Sequence, residues 1–223
     1  MLEEQLLQVR AAVAEAAKAA GRDPQTVKLL AVSKTFPASD IQQAWEAGQR
    51  AFGENRVQEL SEKAPVLPAD CEWHLIGHLQ HNKVKQALEH AAWIHSVDSL
   101  SLLRRLNLLA EQMGKSPKIL LEVNVSGEES KFGLKPSEVR DLVLDAQGGP
   151  CRLCGLMTMA PLGAEEAVLH SVFGGLRTLR DEVSAATGQP LPELSMGMSG
   201  DFRVAIAEGA TIVRIGTAIF GHR

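Results

Sequence analysis

The sequence predicts a single (β/α)8 barrel of the TIM type over residues 1–223, with an extra helix ahead of the first strand. Three observations predict it. Eight apolar runs of strand length alternate with stretches of helical periodicity, a pattern that implies parallel strands joined by right-handed crossovers. The first strand ends in Ser33-Lys34-Thr35-Phe36-Pro37, where an open doubly wound sheet would normally carry a glycine-rich turn. The chain length of 223 residues sits near the lower end for this architecture.

Taken in order, Leu2, Leu6, Val9, Val13, Ala16 and Ala20 recur at helical spacing, so the chain opens with an amphipathic helix that Gly21 and Pro24 stop. The strand candidates follow at 27–33, 49–53, 72–76, 92–97, 118–125, 151–158, 192–195 and 211–215. Helical stretches separate them. Leu102, Leu106, Leu109 and Met113 share one face of 99–113, and Asp201–Glu208 forms a short helix after the seventh strand. No linker, low-complexity segment or internal repeat divides the chain.

Composition narrows the function. Hydrophobic residues make up 45% and charged residues 22%, enough for a packed core. A formal net charge of −4 argues against a general nucleic-acid binder. No apolar run approaches the roughly 18 residues that span a bilayer. The amino terminus lacks an apolar signal core, so a cytoplasmic location is expected. Three cysteines are an odd number for a disulfide framework and fit a reducing compartment. Cys151 and Cys154 form a lone C-x-x-C without a second ligand pair, and read as small apolar residues of a strand rather than a metal site.

Lys34 follows the first strand at its carboxyl end, where barrel active sites are built. Alone it reads first as a lysine reaching water and only second as a Schiff-base amine in a desolvated pocket. The last quarter weighs toward chemistry. Gly197-Met198-Ser199-Gly200 follows the seventh strand and Gly216-Thr217 the eighth. Glycine turns with free N–H groups and nearby hydroxyls bind anions, and phosphate sites in such barrels lie after strands seven and eight. Two such turns opposite Lys34 suit a carbonyl ligand that bears a phosphate. Arg214 lies between Val213 and Ile215, so period two points it into the barrel, where Glu122 or a ligand atom would be its acceptor. Asn55 is placed to cap a helix or face a ligand. His74, His78 and His81 have metal-like spacing only on one continuous helix, which Gly77 opposes. Lys83 and Lys85 read as a solvated helix face, and Lys131 as a loop lysine on the same barrel end.

The motifs AVSKT (31–35), FGENRVQE (52–59), IGHLQHNK (76–83), NVSGEESKFG (124–133), GLMTMAP (155–161) and SMGMSGDFRVAIAEGATIVRIGTAIFG (195–221) resemble, in fixed order, the YggS/PROSC family of pyridoxal phosphate homeostasis proteins. The resemblance covers essentially the whole chain and implies a barrel like the amino-terminal domain of alanine racemase. It implies pyridoxal 5′-phosphate as cofactor, held as a Schiff base on Lys34. It further implies Ser199, Gly216 and Thr217 at the phosphate, Arg214 at the pyridine nitrogen and Asn55 on the pocket wall. Family members are implied to be monomeric and cytosolic, without a settled catalytic activity. They are implied to store or deliver the cofactor, with apo forms of cofactor-dependent enzymes as candidate partners.

Three functions compete: a cofactor carrier, an amino-acid racemase using the same cofactor, and a cofactor-free Schiff-base aldolase acting on a phosphorylated sugar. Racemisation is best served by two acid–base groups on opposite faces of the ligand. Lys34 supplies one. In the resembled alanine racemase the other is a tyrosine from a second domain of the partner subunit, and this sequence contains no tyrosine and reaches His222-Arg223 directly after the eighth strand and its cap. The carrier is the expected function, with His74 the nearest candidate for a substitute base.

Overall fold

The computed structural model describes residues 2–128 and 132–221. Eight parallel strands close into a barrel in sequence order: β1 (Lys28–Val32), β2 (Ala51–Glu54), β3 (Glu72–Leu75), β4 (Trp93–Val97), β5 (Lys118–Glu122), β6 (Arg152–Met157), β7 (Glu193–Ser195) and β8 (Ile212–Ile215). The helices among the described residues are α1 (Leu2–Ala19), α2 (Ala38–Glu46), α3 (Val57–Lys63), α4 (Val84–His90) and α5 (Leu100–Met113), then α6 (Pro136–Asp145), α7 (Glu166–Thr187), α8 (Phe202–Ala207) and α9 (Thr217–Phe220). The expected barrel and leading helix are both present.

Strand periodicity divides the core in two. On β8, Val213 and Ile215 join the layer between barrel and helices, while Ile212 joins a small interior cluster with Leu30, Ala51, Trp93, Leu120 and Met157. Arg214 shares the inward face of Ile212, as period two requires. The helices present complementary stripes. On α5, Leu102, Leu106 and Leu109 are buried; Ser99 caps its start by accepting the Leu102 N–H, and Gly114 ends it in a left-handed conformation. Leu6, Val9, Val13 and Ala17 bury α1 against α8, α9 and α2, so this helix lies over the seam where the last strand meets the first.

The ends of some elements differ from expectation. The second strand begins at Ala51 rather than residue 49, because Gln49 turns its side-chain amide onto the Leu29 and Ala51 carbonyls. The fifth stops at Glu122 instead of 125, because a returning loop pairs with the chain there: the Asn124 N–H donates to the Leu134 carbonyl and the Leu134 N–H to the Glu122 carbonyl. Asp201 lies before α8, its carboxylate accepting the Met198 N–H at 2.5 Å.

Leu6→Ala should lower the unfolding free energy by about 2–5 kcal/mol through the cavity it leaves beneath α1. Leu7→Ala on the exposed face should stay within about 0.5 kcal/mol. Urea denaturation of the two variants measures the contrast.

Candidate functional site

Strand ends β1, β2, β3, β5, β7 and β8, with the loop after β6, surround a cavity of about 600 Å³ at the carboxyl mouth of the barrel. Lys34, Asn55, Ser199, Arg214, Gly216 and Thr217 all line it. Every residue singled out for ligand contact is therefore brought to one cavity. Glu122, His78, Phe132, Met159 and Leu162 are among the other lining residues, the last three being exposed apolar side chains. Lys131 lies outside the described residues.

Lys34 is exposed to the cavity rather than desolvated, because it stands on a turn at the open mouth. That turn is unusual. Thr35 has a φ of 72°, a left-handed conformation that β-branched residues rarely adopt. The surrounding structure holds it there. Glu59 Oε2 accepts the Thr35 N–H at 2.6 Å, and Lys63 Nζ donates to the Ser33 carbonyl at 3.0 Å. Lys63 also pairs with Glu54 at 2.8 Å and Glu59 at 3.0 Å, and Glu54 accepts the Ser33 hydroxyl at 2.7 Å. Burial raises the Glu54 carboxyl above its usual range despite these bonds. Burial also opposes ionisation of Glu59, but the bonds from Thr35 and Lys63 outweigh it and leave that carboxyl lowered. Sequence reading missed Glu54, Glu59 and Lys63. The only signal was a glutamate ending a strand whose outward face should be apolar.

The two glycine turns after β7 and β8 both line the cavity. Gly197 has a φ of 93°, and a Cβ there would approach the Ala205 side chain to 2.6 Å, so only glycine lets the chain turn this tightly onto α8. Thr217 donates its hydroxyl to Ser199 Oγ at 3.2 Å, joining the two turns. The backbone N–H groups of Ser199, Gly200, Thr217 and Ala218 have no acceptor among the described residues. Asn55 is not a helix cap: Arg56 occupies that position without a side-chain bond, and α3 starts at Val57. Asn55 lies half-buried on the cavity wall, and a Cβ on Gly77 would stand 2.2 Å from its carbonyl oxygen.

Arg214 is buried and points into the barrel, but Glu122, one of the two acceptors expected for it, is not bonded to it. Nη1 donates to Ser195 Oγ at 2.7 Å and Nη2 to the Thr158 carbonyl at 2.9 Å. Burial lowers the guanidinium to about 10, with the fields of Glu122 and Asp201 opposing, so it stays a cation at neutral pH. Glu122 is pushed up to about 7, by burial and then by Asp98, against the pull of Arg214.

His74 does not face the cavity. It is fully buried within the barrel with both ring nitrogens engaged, Nε2 by Glu72 and Nδ1 by His95, each at 2.9 Å. It is thus unavailable as a base for a ligand at the mouth. The three histidines fall on β3, a loop and a 3-10 turn, His81–Lys83, rather than on one helix. Cys151 is buried and Cys154 half-buried, and burial pushes both thiols up, Cys151 to about 12.

The profile of the family described as alanine racemase, N-terminal domain, matches residues 5–223. A pyridoxal phosphate homeostasis protein of Pseudomonas aeruginosa is 47% identical over 99% of this chain and 95% of its own. PipY of Synechococcus elongatus is 42% identical over 99% of this chain and 100% of its own, and superposes with a TM-score of 0.90 without pyridoxal phosphate and 0.88 with it bound. The alanine racemase of Bartonella henselae shares the fold at a TM-score of 0.73 and 16% identity, covering 99% of this chain and 59% of that one.

Lys63→Met should cost about 3–5 kcal/mol of stability, the usual effect of stranding a buried partner charge. Adding Glu54→Leu should restore much of the loss. A single-variant loss below about 1 kcal/mol would mean the pair behaves as a solvated one.

A second prediction concerns Glu122. The folded chain keeps its proton up to about pH 7 while the unfolded carboxyl loses it near 4.5, so this group lowers stability as pH rises between those values. The advantage of Glu122→Gln over the unsubstituted chain should therefore grow by roughly 3 kcal/mol across that window. His74 and His95, lowered by burial, act in the opposite sense and cancel in the difference. Denaturation curves for both proteins at several pH values would read it. A difference independent of pH would mean that Glu122 titrates as an ordinary carboxyl.

Proposed function

The chain belongs to the pyridoxal phosphate homeostasis proteins, built on the alanine racemase N-terminal barrel, and from that premise we propose that it binds pyridoxal 5′-phosphate and stores or delivers it. One observation carries the proposal: an exposed strand-end lysine and two glycine turns with unclaimed N–H groups face the same cavity. The donor set fits the cofactor. Its phosphate would meet the N–H groups and hydroxyls of the Ser199 and Gly216–Thr217 turns. Its aldehyde would be held as a Schiff base on Lys34. Asn55 would line the ring, and the remaining Arg214 donors would face the ring nitrogen.

The bound cofactor supplies an electron-withdrawing ring. Arg214 restrains it, because a permanent cation disfavours a second positive charge on the ring nitrogen beside it. A weakly withdrawing ring suits holding rather than turnover. Lys34 at an open mouth suits loading and release. In this reading the chain works as a cytoplasmic monomer, and apo forms of cofactor-dependent enzymes receive the cargo. No helix among the described residues is long and apolar enough to cross a membrane.

Lys34→Ala should abolish the visible absorption of the Schiff base and leave the far-ultraviolet circular dichroism unchanged. Ser199→Ala or Thr217→Ala should each weaken retention by about 1.5–3 kcal/mol, the worth of a hydrogen bond to a charged group. Pyridoxal without the phosphate should bind far less well. Equal affinity for the two forms would reduce the glycine turns to ordinary turns. Lys34-dependent deuterium exchange with inversion at the α-carbon of alanine, at about 1 s⁻¹ or faster, would replace the carrier by a racemase.

A further inference from the structure

A line of polar side chains crosses the barrel interior from the cavity to the opposite end. Arg214 Nη1 lies 2.7 Å from Ser195 Oγ, and Ser195 Oγ lies 2.9 Å from His95 Nδ1. His95 Nε2 is 2.9 Å from His74 Nδ1, and His74 Nε2 is 2.9 Å from Glu72 Oε1. Glu72 opens β3 at the amino-terminal rim of the barrel, where it pairs with Lys28 at 2.8 Å and is about one-third exposed, at 34%. The line takes its members from β3, β4, β7 and β8. Ser33 through Thr35 and the phosphate turns have no part in it.

We propose that Ser195, His95 and His74 are positioning residues that hold the Arg214 guanidinium against the cavity through a one-way hydrogen-bond chain ending on Glu72. The proposal rests on the reading of Arg214 as the cation that faces the bound ring. Its direction follows from the two ends. A guanidinium can only donate, and an ionised carboxylate can only accept. Glu72 is held well below the usual carboxylate range, first by its bond from His74 and then by Lys28. Between these ends a neutral imidazole has one donor and one acceptor, and a hydroxyl has one proton to give. Only one order satisfies every member. Arg214 donates to Ser195, the Ser195 hydroxyl donates to His95 Nδ1, His95 Nε2–H donates to His74 Nδ1, and His74 Nε2–H donates to Glu72.

The order requires both rings to be neutral, and their surroundings keep them so. Both are fully buried, and burial lowers both, His74 to about 4. The charges that face them are Lys28 on β1, Lys118 on β5 and Arg214 on β8, all of which oppose protonation, with Glu72 alone favouring it. Packing holds the rings in place. His74 stacks on Trp93 at 5.3 Å with planes 6° apart, and Lys28 and Lys118 lie over the Trp93 ring at 5.3 and 4.6 Å. Because its proton is committed to His95, the Ser195 hydroxyl can only accept from Arg214. A neutral filler such as Leu120 or Met157 would occupy the same space without fixing the guanidinium.

Two measurements test this. In the cofactor-free protein, long-range 15N–1H correlation spectra of the imidazoles should show His74 and His95 both as the Nε2–H tautomer. An Nδ1–H tautomer or a charged ring at either residue would overturn the one-way chain. In the second, pyridoxal 5′-phosphate is titrated into the full chain. Ser195→Ala should raise the dissociation constant about tenfold and shift the visible band of the bound cofactor, whereas Ser195→Thr, which keeps the hydroxyl, should restore both. A folded Ser195→Ala protein with unchanged affinity and band would overturn the positioning role. Failure of the unsubstituted chain to bind would instead reject the binding reading, while the tautomers still decide the direction of the chain.

Discussion

Closure of the barrel by β8 onto β1 is the constraint on which the site depends. The register sets Leu30 beside Arg214 and Ala31 beside Ile215. Without that pairing, both strands would present unpaired backbone edges. With it, the turn bearing Lys34 comes to lie against the turn at Gly216 and Thr217, although these residues stand at opposite ends of the sequence. The approach is close: a Cβ on Gly216 would stand 3.0 Å from the Val32 carbonyl oxygen. On the outside, α1 packs against α8, α9 and α2 and so covers the seam. The leading helix thereby belongs to the architecture of the site, since it covers the one junction that chain connectivity does not make.

Two polar networks then hold two basic side chains, Lys34 and Arg214, that line the cavity among the described residues. Outside the barrel, Glu54, Glu59 and Lys63 grip the turn that carries Lys34, including the left-handed Thr35. Inside, Ser195 and the Thr158 carbonyl hold Arg214. Buried polar groups are costly unless each finds its partner, and a satisfied network rigidifies what it touches. Part of the interior is treated this way: beside the apolar cluster stand two imidazoles, a hydroxyl and the guanidinium. A held turn and a fixed guanidinium give an open cavity whose shape precedes a ligand, which lowers the ordering cost of binding.

Much of this was legible in the sequence. The eight strand positions, the leading helix and the inward direction of Arg214 follow from periodicity and turn chemistry, which act over a few residues. The cavity-lining roles of Lys34, Ser199, Gly216 and Thr217 follow from strand ends, because a barrel gathers all of them at one mouth. Less legible were the partners. Glu122 was the natural acceptor for a buried arginine, yet Ser195 and a backbone carbonyl serve. His74 offered itself as a base, yet it lies inside the barrel with both nitrogens engaged. Glu54 carried only the faint mark of a glutamate on an apolar strand face, and Lys63 no local mark of the clamp they form.

The sequence by itself thus determined which residues form strands, which face each strand turns inward and which strand ends carry lysine, glycine and hydroxyl groups. Only the tertiary structure decided who bonds to whom. His95 meets Ser195 across 100 residues of chain, and Arg214 meets the Thr158 carbonyl across 56. Periodicity names a face but not a neighbour on the far side of a closed barrel; that depends on strand register, barrel stagger and the breaks in register on either side of β5.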